Sequence, residues 1–378
     1  MFEATSSTTR PRRLAGSLAA AIAVLLASAA TALAGVAIFD PATDFNVGDQ
    51  PTAVANGDFD DDGDVDLAVA NFNDADVSIL LGDGAGDFDL DDDYMVGNQP
   101  QAIVVGRFNG DNDVDLATAN RMDDNVSVLL GRGDGTFRPA RNKGVGSSPR
   151  DLVGADFNRD GRRDLAVANF NDDDVSILLG KGAGRFSRAP DRQVGNTPRG
   201  IATANLDGAG GRDLAVVNDM DEDVTIVLNQ GGGSFGNRRD FSVGSMPFSV
   251  TLADFNDDGD RDLAVQNSGD NNVSVRLGRG DGRFRNESTF DVGANPYEVT
   301  DGDFDADGNR DLAVSNSDDD DVSILIGNGD GSFDPADDYA VGDFPTGLVV
   351  RDFDAANGPD IAVANLGDDD VSVLLNDA

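Results

Sequence analysis

Cysteine and histidine are both absent from this chain of 378 residues. Without cysteine there is no disulfide framework, thiolate nucleophile or thiolate metal site. Without histidine there is no imidazole base and no histidine-ligated zinc. Lysine occurs only at Lys143 and Lys181, and glutamate only at Glu3, Glu222, Glu287 and Glu298. The acidic excess, 70 against 28 basic residues for a formal charge of -42, is therefore almost all aspartate. Solubility would be served equally well by glutamate. An aspartate bias points instead to tight turns and to short, rigid oxygen ligands. Such a field repels nucleic acid and anionic membrane surfaces, so neither is expected as a partner. Most routes to nucleophilic catalysis near neutral pH are closed, and the chain is expected not to be an enzyme.

The N-terminus reads as an export signal. Arg10, Arg12 and Arg13 precede an unbroken small-apolar stretch from Leu14 to Ala30, and Ala32-Leu33-Ala34 supplies a cleavage pattern. Residues 1–34 are expected to be removed, leaving 35–378 as a secreted, periplasmic or cell-surface domain with no membrane insertion.

The rest of the chain is one repeat. The pattern DFDDDGDVDLAVAN near Asp58 recurs every 49 residues, and residues 36–378 make seven such units. Pro51, Pro100, Pro149, Pro198, Pro247, Pro296 and Pro345 keep the same step. Each unit reads as four short strands; in the first they are Thr52–Phe59, Leu67–Ala70, Val77–Leu81 and Phe88–Val96. Four strands repeated seven times predict an all-β, seven-bladed propeller. The last unit lacks its fourth strand, and Val36 to Val47 matches it, so the N-terminal strand is expected to complete the seventh blade. Two phenylalanine columns, around Phe59 and Phe88, are expected to fill the space between blades.

A turn of the form D-x-[DN]-x-D-G-x-x-D follows the first strand of each unit. Oxygens at positions 1, 3, 5 and 9, with the carbonyl of position 7, can surround one Ca²⁺, and glycine at position 6 permits the bend. Four copies are complete. They comprise Asp58, Asp60, Asp62, Asp64 and Asp66; Asp156, Asn158, Asp160, Arg162 and Asp164; Asp254, Asn256, Asp258, Asp260 and Asp262; and Asp303, Asp305, Asp307, Asn309 and Asp311. The seventh-position members of these sets are expected to act through their carbonyls, giving about four calcium sites. Arg107, Ala209 and Ala356 each replace a ligand in the other three copies, where binding is expected to be weak or absent. The ninth-position aspartate persists even there, as Asp115, Asp213 and Asp360, which predicts a structural role in bonding turn amides.

These turns resemble those of the FG-GAP/VCBS repeat proteins, whose relatives include the integrin α-chain propellers. The resemblance covers residues 35–378. It implies calcium in the hairpin between the first two strands of each blade, in a secreted adhesion or recognition protein. The segment after the turn reads DLAVAN, where integrin-type repeats carry Gly-Ala-Pro, so integrin-like ligand recognition is not implied.

Phe248, Tyr297 and Phe344 stand beside the proline column and form a candidate ligand patch. The Arg-Gly-Asp triplets at 132–134 and 279–281 fall in a repeat turn and are explained by the repeat. The leading expectation is a monomeric binding or adhesion scaffold for an extracellular protein or glycan. A lectin-like propeller is the alternative, and a calcium-assisted polysaccharide-active enzyme ranks below it because no blade shows a catalytic cluster that breaks the repeat.

Overall fold

The computed structural model describes residues 39–377 apart from residue 210; the expected leader and its cleavage point lie outside them. The described residues contain strands, turns and bends but no helix, hence no helix able to cross a membrane.

Seven antiparallel sheets form the blades. Blade 1 consists of Pro51–Gly57, Asp66–Asn71, Asp76–Gly82 and Phe88–Met95, numbered inside to out. The strand starting at each column proline is innermost, and the seven innermost strands neighbour one another in a closed ring. Blade 7 takes its outer strand from the N-terminal side: Thr43–Asn46 pairs with Asp370–Leu374, with Thr43 opposite Val373 and Asn46 opposite Asp370. The amide of Gln50 also donates to Asp369 Oδ1 across this seam at 2.9 Å.

Second strands are buried throughout, as DLAVAN and its variants require: alternate residues face opposite neighbouring blades, and both faces are covered. Outer strands differ for a local reason. Phe88–Met95, Phe235–Ser242 and Phe284–Asp291 run unbroken. Where Pro41, Pro139 or Pro335 occupies the column of Leu90, the strand shrinks to a bridge at Phe39, Phe137 or Phe333 and a four-residue piece. Pro190 likewise splits the outer strand of blade 3 into Phe186–Arg188 and Arg192–Gln193. Proline has no N–H to give to the ladder.

The phenylalanine columns close the blades onto each other. Phe59 packs edge-on against Phe137 of the next blade at 5.6 Å, and the pattern continues to Phe304–Phe39 and Phe353–Phe88. Leu206 substitutes in blade 4 and joins the cluster of Phe284. Every hydrophobic cluster spans two adjacent blades, so the ring is held by its interfaces.

Candidate metal centres and the channel mouth

The aspartate turns connect first and second strands. Their ninth-position residues, from Asp66 to Asp360, are completely buried. In blade 1, Asp66 Oδ2 accepts from the Phe59 amide at 2.6 Å and Oδ1 from the Gly82 amide at 3.0 Å. The same two bonds recur in all seven blades, including those with incomplete turns, for example on Asp115, Asp213 and Asp360. Two charge-assisted bonds clamp the turn to the third strand in complete and incomplete copies alike. Burial outweighs those amides and pushes Asp66, Asp115, Asp213, Asp262 and Asp360 up to about 6, and Asp311 up to about 7.

The remaining turn carboxylates divide the loops into two kinds. In blade 1, oxygens of Asp58, Asp60 and Asp62 lie within 4.8 Å of one another. Two oxygens on one Ca²⁺ at about 2.4 Å can be that far apart. Burial, then the Asp62 and Asp58 charges, raise the Asp60 carboxyl against the pull of the Asp62 amide. Asp58 Oδ1 is buried with no hydrogen-bond partner. Blade 6 gathers Asp303, Asp305 and Asp311, and blade 7 gathers Asp352, Asp354 and Asp360 despite Ala356. The missing fifth-position ligand therefore does not prevent convergence in blade 7.

Blades 3 and 5 carry complete turns and form no such trio among the described residues. Asp156 instead uses both oxygens as a cap, accepting from the amides of Asp160 at 3.1 Å and Gly161 at 2.8 Å. Asp254 does the same for Asp258 and Gly259. Their third positions are Asn158 and Asn256, which accept from the fifth-position amides. Asp160 further pairs with Arg162, and Asp258 with Arg285. The seventh-position residues Asp64, Arg162, Asp260 and Asn309 each donate their amide to the fifth-position carboxylate. In blade 2, Arg107 Nε donates to the Asn112 carbonyl at 2.8 Å, so its guanidinium lies across the turn.

On the opposite face, the asparagine ending each second strand donates to the first and third residues of the next strand, as Asn71 does to Asp76 and Ser78 at 2.8 Å. Each asparagine-to-strand turn then bonds a neighbouring connection: Asp74 Oδ2 accepts from the Asp49 amide, and Asp123, Asp172, Asp221, Asp270, Asp319 and Asp368 repeat this. The acidic runs on this face are joints. The triplet residues Asp134 and Asp281 accept amides within their own turns.

The candidate patch is corrected. Phe248 and Tyr297 directly follow their prolines and stack at 4.3 Å. Phe344 precedes its proline, in a column where every residue has φ between 51° and 58°, and its amide donates to Asp320. That one-residue offset removes it from the pair. The stack belongs to a different constellation at the channel mouth. Arg199 lies over Phe248 at 4.6 Å and pairs with Asp219 at 2.7 Å. Arg150 and Arg199 both lie over Phe170. A cavity of about 100 Å³ opens here, lined by residues from all seven blades. The sequence signal was present: after the constant prolines the column reads Thr, Gln, Arg, Arg, Phe, Tyr and Thr, and the next reads Ala, Ala, Asp, Gly, Ser, Glu and Gly. The repeat is thus broken at the channel mouth, by arginine and aromatic side chains.

The FG-GAP-like repeat model matches residues 107–167, 156–210, 205–265 and 254–314. None of the curated proteins matches this sequence. Among solved structures, BBS1N in complex with ARL6DN is 14% identical at a TM-score of 0.65, covering 90% of this chain and 97% of that one. The periplasmic gluconolactonase PpgL of Pseudomonas aeruginosa is 18% identical at 0.59, over 78% and 86%. An Agrocybe aegerita lectin that recognises non-reducing terminal N-acetylglucosamine is 20% identical at 0.50, over 76% and 80%. The gluconolactonase corrects the expectation that the chain is not an enzyme: this fold carries catalysis in a relative of similar size, so the absence of histidine and cysteine does not exclude it here.

Proposed function

We propose that this chain, which belongs to the FG-GAP-like repeat family, is an exported propeller whose aspartate turns bind calcium and whose rigid ring serves as a binding or adhesion scaffold for an extracellular protein or glycan. The observation that carries the calcium reading is the buried, unpartnered Asp58 Oδ1 inside a trio of carboxylates. A buried carboxylate oxygen without a donor is costly, and three carboxylates in one turn repel; a divalent cation relieves both. Calcium suits the all-oxygen donor set and the flexible turn. The basic, apolar and Ala-Leu-Ala segments of residues 1–34 support export, where calcium is abundant enough for modules that bind at about 10⁻⁴ to 10⁻³ M.

A glycan partner is favoured as a second reading by the Phe248–Tyr297 stack, since flat aromatic faces accept sugar rings. The lectin of similar fold recognises a sugar, and a glycan array separates the two readings: bound glycans favour the lectin, array silence a protein partner.

Calorimetric titration of the chain with calcium tests the proposal. Saturable binding at more than one site is expected, and EDTA should lower the melting temperature by several degrees, since each site at tenfold excess over Kd adds about 1.4 kcal/mol. No heat up to about 10 mM calcium, tenfold above the weakest affinity expected, together with a melting temperature indifferent to EDTA, would overturn it.

A further inference from the structure

Blades 3 to 6 depart from the repeat at the channel mouth, and the departure concentrates positive charge in a chain of formal charge -42. Arg150 sits at its centre. Its Nη1 donates to Gln101 Oε1 at 2.6 Å, whereas its Nε is buried without a partner. Among the described residues no carboxylate lies within ion-pair distance of Arg150; Arg199 beside it has Asp219. Burial, then the neighbouring Arg121 and Arg199 charges, bring the Arg150 guanidinium down to about 10. Like charges drawn together and desolvated are costly unless an anion joins them.

We propose that this cavity binds a small organic carboxylate, its two oxygens on the Arg150 guanidinium and its apolar end against the Phe248–Tyr297 stack. The planar guanidinium fork matches a planar carboxylate better than a compact ammonium would. The stacked rings supply an apolar wall beside it, with Arg199 covering the outer face of Phe248. A volume of about 100 Å³ holds about three waters at about 30 Å³ each, hence a ligand of a few heavy atoms or the head of a larger one. Two acidic groups share the cavity. Asp151 accepts from the amides of Ile201 and Leu152, which offset part of its repulsion of the anion, and Arg150 and Arg199 must outweigh the rest. Burial and the Asp151 charge push Glu298 up to about 8, so at neutral pH it is protonated and offers an O–H. The site is independent of the aspartate turns, which lie at the other ends of the strands.

The test is a calorimetric titration of the calcium-saturated chain with acetate and benzoate, against acetamide and sulfate at matched ionic strength. The carboxylates are expected to bind and acetamide not to. Arg150→Gln should lower carboxylate affinity about tenfold or more while leaving calcium binding intact. In the unsubstituted chain, benzoate should protect Arg150 from modification by phenylglyoxal, read by mass spectrometry, which keeps the proposal testable if the variant does not fold. Absence of carboxylate binding, binding unchanged in Arg150→Gln, equal binding of acetamide, preference for sulfate, or an Arg150 left unprotected would each overturn it.

Discussion

The turns of blades 1 and 3 are both complete by sequence, yet they settle differently. In blade 1, Asp58, Asp60 and Asp62 point inward as a trio and leave Asp58 Oδ1 without a donor. In blade 3, Asp156 satisfies itself on the amides of Asp160 and Gly161. Third-position chemistry separates them: Asp60 adds a second full charge, while Asn158 adds a neutral oxygen and lets the first aspartate relax onto the backbone. Blades 6 and 7 also gather trios with Asp305 and Asp354, through the ninth position in place of the fifth, although Asp303 accepts from the Gly308 amide and Asp352 from the Ala355 amide; blade 5 follows the second pattern with Asn256. Where the first position is aspartate, a third-position aspartate accompanies a carboxylate trio and a third-position asparagine does not.

The strongest way to show what the two kinds share is Asp164→Ala. It removes the acceptor of three amides, those of Phe157, Asn158 and Gly180, from a fully buried position. A loss of about 3 kcal/mol is expected in denaturant unfolding, with and without calcium alike, because these amides lose their acceptor. A loss seen only with calcium would mean that the ninth position acts through an ion alone.

What they do not share appears in a pair of milder changes. Asp58→Asn should weaken calcium binding in blade 1 and leave calcium-free stability unchanged or raised, since it lowers repulsion within the trio. Asp156→Asn should cost about 1 kcal/mol without calcium, because a weaker acceptor remains for two amides. Equal responses of the two variants in EDTA would erase the distinction.

A further effect concerns pH. Asp311 rises from its ordinary 3.8 to about 7 in the fold, chiefly through burial. Its ionised form is penalised only in the folded chain, so the native state holds more protons than the unfolded one between these values. Stability without calcium should therefore fall as pH rises from about 4 to about 7, and Asp311→Asn should flatten the slope. Melting curves in EDTA across that window read it. A slope that steepens in the variant would contradict the assignment.

Much of this was legible because a period of 49 residues repeats every local decision seven times. Strand positions, the interblade role of Phe59 and Phe137, and the amide bonds of the ninth aspartate all follow from columns that hold constant. What escaped lay in exceptions within columns. Asn158 and Asp60 are interchangeable as ligands on paper, but only one repels its neighbour. Phe344 was grouped with Phe248 by proximity to proline, although an offset of one residue puts it in a turn with positive φ. Arg150 and Arg199 carried no expectation from sequence, and the ring brings them to one opening with the aromatic side chains of blades 5 and 6. The column after the prolines carries the signal only as variation, and variation in a column does not say which neighbours meet.

The seam between Thr43–Asn46 and Asp370–Leu374 also sets a timetable. Ribosomes make the closing strand before every inner strand and its partner after all of them. Through most of synthesis that strand has nothing to zip to, and the unfinished arc exposes blade faces at both ends. Shutting the circle is then a late, long-range event with a high entropic threshold. A chain held by a chaperone until its final repeat emerges would be spared pairing with a stranger.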